Sequence, residues 1–462
     1  MDGLVERPTA PVAAFDPRYD PLKSAGPGVG RAYAPTYWIA TAGPPPADDG
    51  PVTGDMDVDV AIIGSGYTGL ACAIFLAREF GIKAAVLEAN QVAWGCSTRN
   101  GGQAQAASGR LSRSQWIKRW GLDTARAMHA EILEGFATFR DLTKPIDCDA
   151  QPGGHLYIAH RPSMVPKLEA EAGVLREAFG YDARMLSKEE LKRRYVDDAE
   201  AAGAMHEPDG TGVHAAKLAF GYLRMARELG ARVHPASPVQ GWETRGGAHH
   251  LRTPGGVVRA RAVGIATGGY TAPGLHPSLR GRSYPILSNS LVTRPLTAGE
   301  KAACNFLTTE VITDTRTLRF YYRRLPDDRV QIGSRSAITG ADAQNPKHYK
   351  LLVDGLHRKF PALRGIEVEY SWWGWVDVSH DMMPRVFQPD SAQAVFYALG
   401  YGGNGVMYSA QAGRRMAERI AGKPGPALPI FQSPLPGHPL AIVRRPGQQV
   451  LYHWYYLRDE KL

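Results

Sequence analysis

Cysteine is scarce in this chain, which has four in 462 residues. They are Cys72, Cys96, Cys148 and Cys304, and they form neither a C-x-x-C pair nor the spacing of a zinc site. This scarcity excludes the common cysteine-based metal centres, so we predict no metal site. It also fits a protein that works in a reducing cytoplasm.

Uninterrupted apolar segments are also missing. The most apolar stretch, DVAIIGSGYTGLACAIFLA at 59–77, has nearly the ~20 residues that a membrane-crossing helix needs. It begins with Asp59, is followed by Arg78 and Glu79, and holds three glycines in its middle. A spanning helix is therefore excluded. The first 56 residues lack the apolar core of a signal peptide and are predicted to form an irregular N-terminal arm.

No part of the sequence concentrates positive charge, although the net charge is +9. The densest local group is Arg110, Arg113, Lys118 and Arg119, which we predict to be a solvated helix face. No nucleic-acid-binding motif accompanies it, so we expect no nucleic-acid partner. A basic balance also suits an anionic cofactor or substrate.

The apolar stretch instead has the pattern of a dinucleotide-binding unit. A β-branched run at 58–63 precedes Gly64-Ser65-Gly66-Tyr67-Thr68-Gly69, which matches G-x-G-x-x-G, and a helix and a second strand at 84–88 follow. In such a unit Gly64 permits a tight turn, Gly66 lets the backbone approach a pyrophosphate, and Gly69 lets the helix pack closely on the strand. The helix N-terminus offers free N–H groups to the phosphates.

Glu88 ends the second strand, 19 residues after Gly69. A carboxylate at this point accepts hydrogen bonds from a ribose and would repel the 2′-phosphate of NADP. A glycine-rich turn without a ligand is less consistent with the complete pattern. We therefore predict a bound dinucleotide.

A second G-x-G-x-x-G occurs at Gly400–Gly405, between a predicted strand at 394–399 and a predicted helix at 406–421. No second strand with an acid follows, so the unit is incomplete and a NAD site is disfavoured. A glycine turn at a helix N-terminus can still bind the polar edge of another ring. Its dipole would stabilise the negative charge near N1 of a reduced flavin.

The rest of the chain alternates between helical and strand patterns. We predict helices at 115–140, 163–179, 188–194 and 215–229, and strands at 154–159, 201–206, 231–236, 239–244, 249–253, 257–259, 261–269, 284–294, 317–324 and 329–335. The last three should form an antiparallel sheet. The predicted fold class is α/β plus antiparallel β, with a Rossmann-like nucleotide-binding domain and a discontinuous antiparallel-sheet substrate domain.

Several separated blocks carry a resemblance to a known family. The first glycine motif, Glu88 and VAWGCSTRNGGQ at 92–103 resemble the FAD-dependent D-amino-acid-oxidase superfamily. Within it, the γ-glutamylputrescine oxidoreductase subgroup is similar in TYWIATAG before the motif, SWWGWVDVSHDMMPRV at 371–386, GYGGNGVMYSAQAG at 400–413 and the ending WYYLRD. The resemblance covers most of the chain from about Tyr37 onward, with its blocks in the family's order.

The resemblance implies FAD bound in an extended form, its adenosine on the Gly64–Glu88 unit and its isoalloxazine beside Arg99–Gln103. The turn at Gly402–Val406 would lie at the pyrimidine edge, and Val239 would offer backbone to the adenine side. The implied cofactor-binding residues are Gly64, Gly66, Tyr67, Thr68, Gly69, Glu88, Ala89, Trp94, Gly95, Ser97, Arg99, Asn100, Gly101, Gly102, Gln103, Val239, Ala266, Thr267, Gly268, Gly402, Gly403, Asn404, Gly405 and Val406.

Cys96 and Thr98 depart from the family pattern, which usually has small residues at these positions, while Ser97 and Arg99 keep the register. Cys96 raises the question of a covalent flavin thioether. Because a packed thiol is far more common, we expect non-covalent FAD.

The antiparallel segment would form the substrate wall, and TDTRTLRFYYRRLPDDRVQIGSRS at 313–336 is rich in arginine and tyrosine. Strand alternation predicts that Arg319, Tyr321 and Arg323 share one face. An arginine there could bind a carboxylate or sulfonate through two hydrogen bonds. The candidate substrate-binding residues are Arg316, Arg319, Tyr321, Arg323 and Arg335, and the candidate catalytic residues are Tyr321 and His380.

The resemblance implies an oxidoreductase that oxidises a primary or secondary amine to an imine, with O2 or an electron carrier reoxidising the flavin. The expected substrate is γ-glutamylputrescine-like or another amine with an anionic tail. An amino acid, imino acid or taurine, with electrons passed to a carrier, is the alternative. A NAD-linked reductase and a non-catalytic flavoprotein fit the motifs less well. We predict a FAD-binding domain at 57–105, 207–282 and 365–425, a substrate domain at 106–206 and 283–364, and a C-terminal tail at 426–462.

Overall fold

Two large sheets with packed helices make up the computed structural model, which describes residues 18–107, 109–437 and 441–460. The strands are β1 (Met56–Ile63), β2 (Ala85–Leu87), β3 (Gln103–Gln105), β4 (Gln151–Pro152), β5 (His155–Ala159), β6 (Arg184–Ser187), β7 (Gly203–Glu207), β8 (Gly210–Gly212), β9 (Arg232–His234), β10 (Gly241–Arg245), β11 (Ala248–Thr253), β12 (Gly256–Ile265), β13 (Ile286–Thr293), β14 (Val311–Asp314), β15 (Tyr321–Arg324), β16 (Val330–Ser334), β17 (Val368–Val376), β18 (Arg385–Phe387) and β19 (Val395–Leu399). The helices are α1 (Tyr37–Thr41), α2 (Tyr67–Phe80), α3 (Arg113–Trp120), α4 (Leu122–Thr143), α5 (Val165–Phe179), α6 (Lys188–Arg194), α7 (Ala215–Glu228), α8 (Ala298–Ala303), α9 (Gly340–Ala343), α10 (Pro346–Lys359), α11 (Gly405–Ile420), α12 (Pro429–Gln432) and α13 (Arg444–Glu460).

The first sheet is built around the predicted dinucleotide-binding unit. Its strand order is β10-β11-β12-β1-β2-β9, with β19 beside β12 and β18 beside β19. β1 is parallel to β2 and β12, and β12 is parallel to β19. α2 packs against α11 and α7, and the three helices share one apolar core. The Rossmann-like part of the predicted fold class is confirmed.

The first β–α turn depends on two glycines. Residues 60–63 of β1 are buried, and α2 is buried from Tyr67 to Leu76. Gly64 turns the chain with φ at +102°. A Cβ on Gly69 would lie 1.9 Å from the carbonyl oxygen of Gly64, so only glycine lets α2 pack this closely. Both roles agree with those predicted from the motif.

The second sheet contains the predicted substrate wall. Its strand order is β17-β13-β16-β15-β14-β5-β7-β6, and its neighbours are antiparallel except for the parallel pair β5 and β14. α10 packs on β13 and β16, and its Leu352 and Leu356 belong to the core of this sheet. A third, small sheet has the strand order β3-β8-β4. The predicted antiparallel component is thus present, with one parallel pair added.

The strand predicted at 317–324 is shorter than expected. Residues 315–320 turn around Asp314, whose Oδ1 accepts the N–H groups of Arg316 (3.3 Å) and Phe320 (3.0 Å). β15 therefore begins only at Tyr321.

Two further elements differ from prediction. The helix predicted at 115–140 is divided into α3 and α4, because Gly121 takes φ +81° between them. The strands predicted at 257–259 and 261–269 are the single strand β12, which pairs with β1 from Val258 to Ile265.

Two predicted domain assignments do not follow the sheets. β17 falls in the range predicted for the FAD-binding domain, yet it pairs with β13 in the second sheet. α4 falls in the predicted substrate domain, yet it packs on α11, and its Met128, Ile132 and Phe136 share the core of α2. The two parts of the chain are interleaved more finely than the sequence patterns indicate.

The described part of the N-terminal arm is irregular apart from α1, which packs against α7 and against β13 and β17 of the second sheet. The Trp38 indole is buried and donates to the carbonyl oxygen of Asn100 (2.8 Å). The predictions for residues 1–17, and for 438–440 and 461–462 of the tail, lie outside the described residues. In the part of the chain that is described, no helix has the length and apolar character of a membrane span.

Candidate active site

A large cavity begins at the carboxyl ends of β1 and β2 and reaches the second sheet. It encloses about 1860 Å³, including the part that opens to solvent. Ligands of doubly wound folds bind in this crevice. The predicted cofactor-binding residues that line it are Gly64, Gly66, Tyr67, Thr68, Glu88, Ala89, Trp94, Gly95, Ser97, Arg99, Asn100, Gly101, Gln103, Val239, Ala266, Thr267, Gly268, Gly403, Asn404, Gly405 and Val406.

The carboxylate of Glu88 is held at the end of β2. It accepts the Ser65 hydroxyl (2.7 Å), the Ser65 N–H (3.1 Å) and the Asn90 N–H (3.0 Å). Burial raises the pKa of the Glu88 carboxyl, and these hydrogen bonds act in the opposite direction. Because a carboxylate has about four acceptor sites, Glu88 can also accept hydrogen bonds from a ribose.

The N-terminus of α2 faces the cavity through Gly66. This N-cap residue has no side chain, and a Cβ there would lie 3.0 Å from the Ser97 hydroxyl oxygen. Ser97 accepts the N–H of Tyr67 (2.9 Å) and so connects the loop after β2 to the first turn of the helix. A ligand can therefore approach the backbone at the positive end of the helix, which fits a pyrophosphate.

Apolar side chains line the part of the cavity nearest Glu88. They are Pro238, Val239 and Leu275, together with Pro27 of the arm. Pro27 is held there by a hydrogen bond from the Asn90 side-chain amide to its carbonyl oxygen (3.1 Å). These surfaces fit a flat aromatic base. Pro27 was not predicted, because the arm carries no motif that would indicate contact with a cofactor.

The loop after β2 forms a rigid floor. The Arg99 guanidinium lies over the Trp94 ring at 4.2 Å, and the Arg99 carbonyl oxygen accepts the Trp372 indole N–H (2.8 Å). The Asn100 side chain accepts the Gly102 N–H (2.8 Å). A Cβ on Gly101 would lie 2.7 Å from the Tyr321 ring, so this glycine brings the loop against the second sheet.

Cys96 lines the cavity beside this loop. Burial raises the pKa of its thiol to about 11, so the thiol is protonated at neutral pH. A thiol is a much weaker nucleophile than a thiolate. This environment agrees with non-covalent FAD.

The second glycine turn is organised by Asp377, a lining residue that the sequence analysis did not assign to the site. Its Oδ2 accepts the Gly400 N–H (2.6 Å), and its carbonyl oxygen accepts the Gly402 N–H (2.8 Å). Burial raises the pKa of the Asp377 carboxyl to about 6. α11 begins immediately afterwards, so its N-terminus faces the cavity through Gly405.

Three glycines predicted to contact the cofactor are not among the residues that line the cavity. Gly69 packs on Gly64, Gly102 has the carbonyl oxygen of Val213 at its Cβ position, and Gly402 packs on Gly109. Each allows close packing of the chain behind the cavity wall. Their assignment as contact residues is corrected accordingly.

The candidate arginines divide into two groups. Arg319 and Arg335 line the cavity. Arg316 does not: it forms ion pairs with Asp314 (2.5 Å), Glu200 (2.8 Å) and Glu460 (2.5 Å). Its assignment to the substrate wall is wrong, because the turn at 315–320 directs it into this cluster.

Arg323 also lies away from the cavity, although it shares a strand face with Tyr321. It is buried and donates to the Gln151 side-chain oxygen (2.7 Å) and to the Val213 carbonyl oxygen (2.7 Å). The prediction of Arg323 as a substrate ligand is therefore corrected. Strand alternation places Arg323 on the same face as Tyr321, but its side chain is buried behind the loop at 101–103 and does not reach the cavity.

Of the two candidate catalytic residues, one lines the cavity and the other does not. Tyr321 lines the cavity, and its hydroxyl is within hydrogen-bond distance of Ser288 (2.9 Å) and Ser290 (3.1 Å). His380 is not a lining residue. Its ring stacks on Tyr284 at 5.5 Å and its Nε2 lies 3.3 Å from the Gly281 carbonyl oxygen, so the prediction of His380 as a base is corrected.

The predicted solvated basic face is also wrong in two positions. Arg110 lines the cavity and donates to the Thr317 carbonyl oxygen (3.3 Å). Arg113 is buried and donates to the Ala106 carbonyl oxygen (2.7 Å). Among the lining residues that sequence reasoning missed are also Ser288 and Thr313, which carry no motif and reach the site only through sheet pairing.

Comparison with known proteins agrees with this geometry. Residues 59–419 match the family model DAO, FAD dependent oxidoreductase. The chain is 31% identical over 369 residues to the γ-glutamylputrescine oxidoreductase of Escherichia coli K12, covering 79% of this chain and 84% of that protein. It is 29% identical over 418 residues to the probable oxidoreductase OrdL of Rhizobium meliloti, covering 88% and 93%. The crystal structure of glycine oxidase from Geobacillus kaustophilus superposes with a TM-score of 0.69 at 23% identity, covering 83% of this chain and 99% of that one.

Proposed function

Since the chain belongs to the DAO family of FAD-dependent oxidoreductases, we propose that it oxidises a small amine that carries an anionic group, and that it works in the cytoplasm. The observation that supports an anionic substrate is the pair Arg319 and Arg335. Both line the cavity, and within the described residues neither has a carboxylate within ion-pair distance. The other arginines of the segment are already paired or buried behind the wall.

The residues around the cavity have separate tasks in binding FAD. The turn at 64–66 and the N-terminus of α2 would hold the pyrophosphate, and Glu88 would accept hydrogen bonds from the ribose. Val239 and Leu275 would cover the adenine. The loop at 99–103 and the N-terminus of α11 would hold the isoalloxazine, with the dipole of α11 directed at its polar edge.

FAD supplies a hydride acceptor for the carbon that bears the amine. The protein has to place that carbon, keep bulk water away and leave the nitrogen unprotonated. Tyr321 is fixed by Ser288 and Ser290, so its ring forms a rigid wall opposite Gly101. Arg319 donates to the Tyr157 hydroxyl (3.4 Å) and lies 5.3 Å from that ring, which keeps its guanidinium on the cavity side of the sheet.

The charges of the cavity wall favour an amine that carries an anionic group. Within the described part of the chain, Glu88 and Asp377 are the carboxylates that line the cavity, and Glu88 belongs to the ribose site. Near the second sheet, Arg319, Arg335 and Arg110 give the wall a positive balance. A carboxylate or sulfonate on the substrate would complete ion pairs there. The γ-glutamylputrescine named for the relative from Escherichia coli has such an acid group.

The experiment that tests this proposal is an anaerobic reduction panel. The purified protein is mixed with amines that share a chain length and differ only in a terminal carboxylate, sulfonate or methyl group, and the flavin absorbance is followed. We expect the acids to bleach the flavin at lower concentration than the methyl analogue. Equal bleaching by all members would contradict the anionic substrate, and bleaching by none would contradict amine oxidation. Admission of O2 to the bleached samples then distinguishes an oxidase from an enzyme that needs a carrier.

A further inference from the structure

Three side chains outside the FAD-binding residues form a continuous line of hydrogen bonds into the cavity. His155 on β5 has its Nδ1 at 2.8 Å from Glu207 Oε2 on β7, and its Nε2 at 2.7 Å from the Thr313 hydroxyl on β14. His155 and Thr313 are buried, and Thr313 lines the cavity. Their strands are neighbours in the second sheet, so the sheet fixes the alignment.

We propose that Glu207, His155 and Thr313 form a proton relay that takes the proton from the substrate ammonium group in the cavity. This role rests on the proposed amine oxidation. It supplies the unprotonated nitrogen that such an oxidation requires, which neither the FAD-binding residues nor the arginines provide.

Which atoms donate and which accept along this line of hydrogen bonds follows from Glu207, the acid at the end away from the cavity. Burial disfavours the Glu207 carboxylate, but the hydrogen bond from His155 and the positive charge of Arg113 hold the pKa of Glu207 below its usual value. An ionised carboxylate only accepts, so His155 Nδ1 must carry the proton. In the neutral ring Nε2 then accepts the Thr313 O–H, and the lone pairs of the Thr313 oxygen are left for a donor in the cavity.

Thr313 is placed where an amine would lie. It is the cross-strand partner of Tyr321, whose ring packs on Gly101. Arg319 and Arg335 line the same cavity. A substrate whose acid group binds these arginines would therefore have its amine within the same pocket as the Thr313 hydroxyl.

The step involves only N–H and O–H bonds. The ammonium N–H breaks as its proton passes to Thr313 Oγ1, while the proton of Thr313 passes to His155 Nε2. Thr313 remains a neutral hydroxyl, the imidazolium is stabilised by Glu207, and the substrate is left as a neutral amine. Its free electron pair can then assist departure of the hydride from the neighbouring carbon.

Several charged and titratable groups surround His155. Glu207 Oε2 lies 2.8 Å from its Nδ1, and the Tyr157 ring, which stacks on His155 at 5.9 Å, also lies 5.3 Å from the Arg319 guanidinium. His129 lies 3.4 Å from the Arg113 guanidinium, and burial lowers its pKa to about 4, so it adds no charge at neutral pH. Tyr181, which packs on His129, has its pKa raised by burial and stays neutral.

The first test compares Thr313→Val and His155→Gln with the wild type in the pH dependence of kcat/KM, using an amine that bleaches the flavin. At pH 7 we expect a loss of about 100-fold in each, typical of a removed general base. The loss should shrink toward pH 10, where the amine is already neutral in solution. Thr313→Ser should restore the wild-type profile. A loss that is equal at every pH, or no loss, would overturn the relay.

The chain contains a matched control. Thr315 lies two residues beyond Thr313, and its hydroxyl is 2.7 Å from Nδ1 of His160, yet neither is among the residues that line the cavity. Thr315→Val and His160→Gln should leave the pH profile unchanged. If Asp377→Asn shifts the acid limb and Thr313→Val does not, the proton passes to Asp377 and the relay is wrong.

The second test needs no turnover. In protein labelled with 15N-histidine, the His155 signals are identified by their loss in His155→Gln, and their shifts report which nitrogen carries the proton. We expect the Nδ1–H tautomer at pH 7.5. The Nε2–H tautomer would overturn the relay. Failure of every amine to bleach the flavin would contradict the proposed function instead, while leaving this measurement to decide the geometry.

Discussion

The two ends of the cavity are built in different ways. At the end proposed to bind the dinucleotide, most of the lining residues come from residues 63–103, which form two strands, one helix and one loop. The substrate end takes Ser288, Thr313, Tyr321 and Arg335 from four places on the second sheet and Asp377 from beyond β17. A local sequence pattern therefore positions the residues of the first end. Pairing of strands that are far apart in the sequence positions the residues of the second.

This difference has a physical cause. Phosphates and a ribose are recognised by backbone N–H groups and one carboxylate, which a strand–turn–helix unit supplies by itself. A substrate is recognised by side chains, and several strands must converge to place them. The same contrast separates the two glycine motifs, since Gly64–Gly69 is a complete unit whereas the turn at 400–403 depends on hydrogen bonds to Asp377.

The largest effect should come from the packing of the local unit. In Gly69→Ala the new Cβ would meet the Gly64 carbonyl oxygen at 1.9 Å, so α2 has to move from β1. We expect a loss of about 3 kcal/mol or more in the free energy of unfolding, with loss of FAD. Urea unfolding and the flavin content of the purified protein measure this.

Gly173→Ala in α5 is the matched control, because nothing lies within 4 Å of its Cβ position. There the same substitution should be neutral or stabilising by up to about 1 kcal/mol. Equal behaviour of the two variants would show that the close contact at Gly69 is not needed.

At the substrate end, the expected effect is on catalysis and leaves the cofactor in place. Arg319→Ala and Arg335→Ala should each lower kcat/KM by about 2–3 kcal/mol for an amine with an acid group, as for a lost charge-assisted hydrogen bond, at normal FAD content. The loss should be much smaller for the methyl analogue. Steady-state kinetics with both substrates measure this.

Arg261→Ala is the control, since Arg261 is 85% exposed on β12. Should both cavity variants lose activity equally on charged and uncharged amines, the arginines would have a structural role and the acid group would bind elsewhere.

The unit from β1 to Glu88 could be predicted well from the sequence. The strand, the turn, α2 and Glu88 follow from periodicity and spacing within 31 residues, and the structure agrees on Gly64, Gly69 and the cavity position of Glu88. The loop at 94–103 was predicted from family resemblance, since nothing in its composition indicates that Arg99 lies over Trp94.

The substrate end was predicted only in part. Alternation placed Tyr321 on the correct face, but it could not show that residues 315–320 turn around Asp314 and take Arg316 away. Thr313 and Asp377 were missed because their roles arise from strand register and from a turn some 20 residues away. Such contacts depend on tertiary packing, which produces no periodic pattern of residues in the sequence.

The proposed contact between Glu88 and the ribose predicts a moderate effect on FAD binding. Glu88→Ala should weaken FAD binding by about 1.5–3 kcal/mol, the cost of losing hydrogen bonds to a charged group, and Glu88→Arg should weaken it more. Titration of the apoprotein with FAD, followed by flavin fluorescence, measures the dissociation constant. Glu79→Ala, on the exposed side of α2, should change nothing by comparison. Unchanged FAD affinity in both Glu88 variants would place the ribose away from β2.

The smallest effect concerns Asp377 and depends on pH. Because burial raises its pKa from an ordinary value near 3.8 to about 6, the folded state favours the protonated acid. The stability contributed by this group is present below the unfolded pKa and is lost as the pH rises through 6. Asp377→Asn keeps an oxygen acceptor for the Gly400 N–H and cannot ionise. Between pH 5 and pH 8 the wild type should therefore lose about 1 kcal/mol of unfolding free energy relative to this variant, whereas Asp182→Asn, at an exposed position, should follow the wild type. If the gap between Asp377→Asn and the wild type stays constant over this range, the carboxylate is ionised throughout, and the turn at 400–403 is held by a charge rather than by a neutral acid.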